Sequence, residues 1–458
     1  MSRNLILYSL KKLPVFCFMC LLAGLIFSPI TTSAQDVKTL TLKETIDLSI
    51  KNSNRLKASM ARNEEAAAQV RQALDNQLPN GSVSGSYLYL ANPSIGLKTD
   101  AFKSSGSDTS GSKTALPSVH QAMYGILNLS LPVYAGGKIR YGIESAKFLQ
   151  QATVLDAEND KEQVILNSIN AFVNIYKADV TVNVVKANLD QSRQQDTVFS
   201  RLEQNGLLAR NDLLKSELHT SNIELALLDA QSNLKTAMIN MNLMIGYPES
   251  TLLNVDSSGF NGAISIKTID DYEQLALQKR YDLQALSFRK QAATTGIAIA
   301  KADKYPSVAL TGGYIAADIP HLLSITNAAN IGVGLQYNLS SLWKSKAKIA
   351  QARAVETEIV ANQAALSDQV KLQVNQDFEN FLLSQKKTEV YKKAVAQATE
   401  NYRITKNKYD VNLVNTTDLL DANVSLLQAQ INLAVSKADV LLAYSRLLET
   451  TGILSDNQ

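Results

Sequence analysis

Few residues in this chain have a type and spacing suited to chemistry. The three histidines, His120, His219 and His321, are scattered: two between strands, one on a helix, with no ligand spacing and no cysteine beside them. They read as solvated surface. No nucleophile motif or phosphate-cradling glycine loop occurs, and Gly312-Gly313 and Gly332/Gly334 read as inward-facing strand positions. What remains is acidic. Asp418 and Asp421 are three residues apart and so share one helix face, from which both can point into the same space. Asp212 occupies the matching place on an earlier helix. A plainer reading competes, because a carboxylate in the first turn of a helix is favoured by its dipole and free N–H groups. It explains Asp418 and Asp212 better than Asp421. No catalytic residue, metal or cofactor is expected, and the chain does not read as an enzyme.

The helix carrying the two aspartates spans roughly residues 416–448. Leu420, Val424, Leu427, Ile431, Ala434, Ala438, Leu441, Ser445 and Leu448 keep a 4,3,4,3 spacing, which is a heptad seam rather than a plain 3.6 period. Alanine and serine make the seam narrow and suit it to close, long-range helix pairing. Upstream, Tyr409-Asp410-Val411-Asn412 ends another long polar helix, so the two form a hairpin longer than a compact domain needs.

Composition agrees with thin-seamed helices: of 458 residues 45% are apolar, only 6% aromatic, with one Trp and nine Pro. Residues 1–34 read as a cleaved secretory leader, with Arg3, Lys11 and Lys12 ahead of an apolar run and Thr32-Ser33-Ala34 at the cleavage site. The apolar run is shorter than the ~20 residues of a membrane span. Both cysteines, Cys17 and Cys20, lie inside it, and neither follows the small residue a lipidation signal wants, so thiolate chemistry is not expected of the mature chain. Without the leader, basic and acidic residues balance at 42 each. A neutral chain with no basic run gives no support to nucleic-acid binding.

Along the chain one plan occurs twice. Residues 35–246 form a first repeat, with strands expected near 82–91 and 122–132 and long helices near 139–204 and 211–246. Residues 247–268 form an irregular connector. Residues 269–458 form a second repeat, with strands near 307–316 and 329–340 and long helices near 344–410 and 417–451. An offset of 206 carries Asp418 onto Asp212, Val414 onto Leu208 and Gly452 onto Gly246. The long helices carry their apolar residues at Ile165, Ile169, Phe172, Tyr176, Val180 and Val184, and on the return at Leu214, Leu218, Leu225 and Leu228. A helix over 139–204 would be about 100 Å long at 1.5 Å per residue.

Each half offers two strands that alternate Leu, Val, Ile and Tyr with Ser, Gly, Asn and Gln. A soluble sandwich would cover the apolar face with a second sheet, but the chain offers no other strands. A lipid-facing wall around a polar lumen has this dyad pattern. Four strands cannot close such a wall, and open edges are not tolerated in hydrocarbon. Several protomers must therefore share one barrel. Tyr87, Tyr89, Tyr134, Tyr314, Tyr337 and Trp343 group at strands and strand ends, as interface belts do.

In these features the chain resembles the TolC-like outer-membrane efflux family. The residues that carry the resemblance are Leu42-Lys43-Glu44-Thr45-Ile46-Asp47-Leu48, Arg280-Tyr281-Asp282-Leu283, the strand exit Leu131-Pro132-Val133-Tyr134-Ala135-Gly136-Gly137-Lys138, and the turns Asn205-Gly206-Leu207 and Tyr409-Asp410-Val411-Asn412-Leu413. The resemblance implies a mainly α protein with a membrane β-barrel part. It would be a homotrimer with a twelve-stranded barrel, continued by a long α-helical coiled-coil tunnel with an equatorial belt near 247–268. It implies the outer membrane of a Gram-negative bacterium, contact with its lipid, and a long periplasmic extension. The implied function is a passive conduit for efflux or type I secretion, opened at its periplasmic tip by an adaptor and an inner-membrane pump of RND, ABC or MFS type. Asp418 and Asp421 match the family's two tip aspartates, Asp212 the acidic position of the first half, and Tyr409 the retained tip tyrosine. The family's glycine at the second turn is Asn412 here, and an arginine that braces the closed tip in some relatives is Val414. Arg210 is a candidate substitute. The rival reading is a soluble or peripheral periplasmic coiled-coil scaffold without transport activity, which leaves the four strands unexplained.

Overall fold

The computed structural model describes residues 37–91, 120–256, 266–320 and 323–457. The expected leader, the Ser-rich connection at 92–118 and part of the 247–268 connector lie outside the described residues. In chain order the elements are β1 (Lys38–Leu40), α1 (Leu42–Asn52), α2 (Asn54–Asp75), β2 (Asn80–Tyr89), β3 (Gln121–Ala135), α3 (Lys138–Gln204), α4 (Arg210–Ile245), β4 (Leu253–Val255), α5 (Ile269–Lys279), α6 (Tyr281–Ala302), β5 (Ser307–Ile319), β6 (Leu323–Gln336), α7 (Ser341–Asp410) and α8 (Thr416–Thr450).

The four longer strands make one antiparallel sheet in the order β2-β3-β5-β6. Register decides its two faces. Val83 lies opposite Leu127, Leu127 opposite Tyr314, and Leu310 opposite Val333, so the apolar sets of all four strands fall on one side. Asn128 lies opposite Gly313, Gly313 opposite Asn330, and Thr311 opposite Gly332, which makes the other side small and polar. Gly312 does not face inward as expected: the register sets it opposite Leu129 and Ile331, on the apolar side. The apolar side is bare in the protomer: Val83 is 81% and Ile331 82% exposed. Among the described residues β2 and β6 are the edges of this sheet, each paired on one side only. β6 starts earlier than the alternation indicates. Its small polar residues 324–329 read as loop, but pairing with β5 supplies their backbone partners, with a register shift between Ile315 and Ala317 and Asn327 at φ 57°.

Beneath the sheet each strand is joined to a helix, and α2, α3, α6 and α7 pack side by side in the order of their strands. α3 has 67 residues, about 100 Å of helix, and α7 has 70. α4 folds back along α3, and α8 folds back between α7 and α3. Two helical stretches, 42–75 and 269–302, are each broken once. At Ser53 the backbone turns extended and the side chain accepts from the Leu56 N–H, so one residue ends α1 and caps α2. At Arg280 the same break is held by the guanidinium, which donates to Asp282, Gln373 and the Thr450 carbonyl. These breaks are 227 residues apart, whereas the hairpin turns are 206 apart. The longer β2–β3 connection absorbs the difference.

The densest packing lies midway along the long helices. There β1 and β4, two strands that hydropathy patterning does not reveal, pair in parallel. Three residues are too few to show a period. Leu40 and Leu253 pack with Phe172, Ile175, Met241 and Ile245. Beside them Ile165, Ile169 and Val173 meet Ala438, Leu448 and Leu454, and Tyr272 and Leu283 meet Val370, Val374, Phe381 and Leu447. The return helix α4 departs from expectation. Its buried contacts are Leu213, Ser216, Thr220 and Ile223, while Leu214, Leu218, Leu225 and Leu228 are 47–65% exposed on the protomer surface. Val424 of the α8 seam is exposed as well. The apolar stripe keeps its helical period, but this protomer's own helices do not cover it.

Candidate functional site

The four residues singled out by sequence, Asp418, Asp421, Asp212 and Tyr409, lie at or near the α3–α4 and α7–α8 turns. Each turn needs one residue in the left-handed region. Gly206 supplies it at φ 69° and Asn412 at φ 61°, so asparagine takes the glycine's part as expected. The closing hydrogen bonds repeat as well: the Leu207 N–H donates to the Leu202 carbonyl at 2.8 Å and the Leu413 N–H to the Lys408 carbonyl at 2.9 Å.

Local structure separates the aspartates. Asp418 belongs to a capping box: its N–H donates to Asn415 Oδ1 at 2.9 Å, and its carboxylate accepts from the Asn415 N–H at 3.3 Å. Asp421, one turn on, is exposed and has no such duty. Asp212 is half-buried in the first turn of α4, 3.5 Å from Lys215, and that helix has no side-chain cap. Tyr409 lies with its ring stacked on Phe199, centroids 5.5 Å apart, and its hydroxyl accepts from Thr416 at 3.4 Å. Burial pushes its pKa up; the Thr416 bond opposes that, and the Asp212 and Asp410 charges add to it. Phe199, Leu213 and Leu419 form the apolar knot beneath it. Arg210 does not take the missing brace's place. It pairs with Glu203 in its own hairpin, at 3.8 Å.

Further along, the helix seam turns polar, a feature the apolar pattern passed over. Asn188 donates to Asn423 at 2.7 Å, the Ser192 and Thr220 hydroxyls meet at 2.7 Å, and Gln191 donates to the Tyr402 hydroxyl at 2.7 Å. The signal was available as polar residues beside the Leu420–Leu427 seam. His219 differs from expectation too. It is half-buried, its Nε2 has no hydrogen-bond partner among the described residues, and burial lowers its pKa against the pull of Asp196 and Asp421. His120 is exposed, and His321 lies outside the described residues. Each polar contact contributes only about 1 kcal/mol net. A Ser, Thr or Asn can also exchange one such partner for another as a helix slides. The hairpin end is thus held by these polar pairs together with the apolar contacts of Phe199, Leu213 and Leu419.

Long helical hairpins thus join a sheet with one bare apolar face at one end to two tight turns at the other. The family described as Outer membrane efflux protein matches residues 45–247 and 273–453. The chain belongs to that family. It is 24% identical to Outer membrane protein TolC of Salmonella enteritidis over 333 residues, 68% of this chain and 65% of that protein. The match thus spans under two thirds of the relative's length. Among solved structures, VceC of Vibrio cholerae superposes with a TM-score of 0.72 at 19% identity, covering 90% of this chain and 96% of that one. The CmeC outer membrane channel of Campylobacter jejuni gives 0.73 at 17%, covering 90% and 86%. At such identities these likenesses establish the fold. In the protomer the four-stranded sheet is open along β2 and β6. Family membership places the protein in the outer membrane of a Gram-negative bacterium with its helices in the periplasm, and the bare apolar sheet face is what that location requires.

Proposed function

We propose that the protein is the outer-membrane channel component of a tripartite efflux or type I secretion system. It would act as a passive homotrimeric conduit, opened when a periplasmic adaptor and an inner-membrane pump of RND, ABC or MFS class dock at its tip. The observation that carries this reading is the four-stranded sheet with a bare apolar face and two open edges. In hydrocarbon that arrangement is stable only when identical copies complete a barrel. The exposed leucine stripe of α4 gives the copies a second apolar contact along the tunnel.

In this reading residues 35–246 and 269–458 are the two structural repeats, and the 247–268 connector belongs to an equatorial belt. Asp421 and Asp418, with Asp212 behind them, form carboxylate rings at the tip by three-fold symmetry. Such rings favour cations at a constriction. Tyr409 holds the closed hairpin through Phe199 and Thr416. Opening slides the polar seam, exchanging hydrogen bonds instead of tearing an apolar core.

Reconstitution tests the proposal. Purified protein should resist extraction by urea, require detergent, and give discrete cation-favouring conductance steps in planar bilayers. Release by urea together with silent bilayers would replace it with the periplasmic scaffold reading.

A further inference from the structure

The mature chain is neutral overall, yet its charge is unevenly placed. Just below the sheet, exposed basic side chains crowd the helix ends: Lys138 and Arg140 on α3, Lys304 after α6, and Lys344, Lys346 and Lys348 on α7. Nearby acids are few. Asp303 accepts from Lys138 at 3.0 Å and Lys348 at 2.8 Å, which engages those two. Arg140, Lys304, Lys344 and Lys346 have no ion pair among the described residues.

Lysines near the end of α6 suit its dipole, but those on α3 and α7 oppose it. Both helices present their N-termini to the sheet, where basic residues are disfavoured. Neither has an acid in its first turn or a side-chain cap, whereas α4, α5, α6 and α8 all carry a first-turn acid. Cations placed against a positive helix end are explained when an anion sits there too. The same level holds exposed Tyr305 and Trp343, and the apolar band begins directly above it at Leu335. Aromatic rings at that depth mark the water–lipid boundary.

Residues two apart on a helix face opposite sides, so only one of Lys344 and Lys346 can face outward. We propose that the outward-facing basic groups of this set form a collar that binds the phosphate headgroups of anionic phospholipids in the periplasmic leaflet of the surrounding membrane. The inference rests on the membrane placement of the sheet. The collar fixes the depth of the barrel and supplies the counter-charge that the two helix N-termini lack.

The test uses the full trimer and a variant carrying Lys304→Gln, Lys344→Gln and Lys346→Gln, none of which breaks an ion pair seen here. Phosphatidylglycerol and phosphatidylethanolamine are offered in detergent, and retained lipid is counted by native mass spectrometry. The wild type should retain phosphatidylglycerol preferentially, and salt should weaken the preference. The variant should lose about tenfold or more of it, each lysine near an anionic surface contributing separately. A matched change far down the tunnel, Lys392→Gln with Lys393→Gln, should leave it intact. Equal retention by the wild type and the triple variant overturns the collar. So does a shifted reversal potential with lipid retention unchanged, which would assign these lysines to the lumen. A wild type that enters no vesicle of either lipid would instead sink the membrane reading beneath it.

Discussion

Replacing Leu218 and Leu225 by Gln tests whether the stripe on α4 is the contact between copies. In the protomer these side chains are 65% and 60% exposed. Full burial of a leucine contributes about 1.5–3 kcal/mol, so each has roughly 1–2 kcal/mol still to gain from a neighbour. Two leucines at each of three symmetry-related contacts place about 6–12 kcal/mol of trimer stability at stake by the same area bookkeeping. At 1.4 kcal/mol per factor of ten, that is a loss of four or more orders of magnitude in the assembly constant. The protomer should keep its helices, because the buried contacts Leu213, Ser216 and Ile223 are untouched. Mass measured by light scattering on dilution in detergent should fall from trimer to monomer, with the far-ultraviolet circular dichroism unchanged. A trimer of undiminished resistance to dilution would show that the stripe faces something else, and the assignment of α4 to the protomer contact would be withdrawn.

Three further outcomes follow from the local geometry. Asp421→Asn should reduce single-channel cation preference without altering thermal stability, whereas Asp418→Ala should also lower stability by about 1 kcal/mol through loss of the cap; equal melting curves for the two would remove that distinction. Asn412→Gly should be neutral or mildly stabilising at φ 61°, while Asn412→Ala should cost about 1–2 kcal/mol and raise spontaneous opening in bilayers. Glu162 is 3% exposed, and its pKa is raised above 4.5, first by burial and then by Asp456, with the Ser455 hydrogen bonds opposing. Because the folded value exceeds the unfolded one, its contribution is fully present below about 4.5 and is lost as pH rises through the folded value. Glu162→Gln should therefore raise the melting temperature at pH 7.5 and bring no gain near pH 4.5; a gain independent of pH would point to packing instead.

The sequence by itself determined the elements that depend on repetition. Alternation over ten or more residues set the strand faces, and the long-range period of α3, α7 and α8 set the hairpins. The 206-residue offset set the duplicate turns, down to asparagine replacing glycine at 412. These are local or periodic signals, legible because each residue's surroundings follow from its own segment. The tertiary structure decided what depends on which surface meets which. It placed Leu213 rather than Leu214 inside, paired β1 with β4 across some two hundred residues, and drew residues 324–329 into β6. It also showed what the first-turn Asp418 binds, the Asn415 N–H of a capping box, while Asp421 one turn on stays exposed. A heptad tells a helix that it has a seam, but not whether its own chain or an identical neighbour will fill it. That choice depends on the geometry of the whole wall, which no single segment encodes.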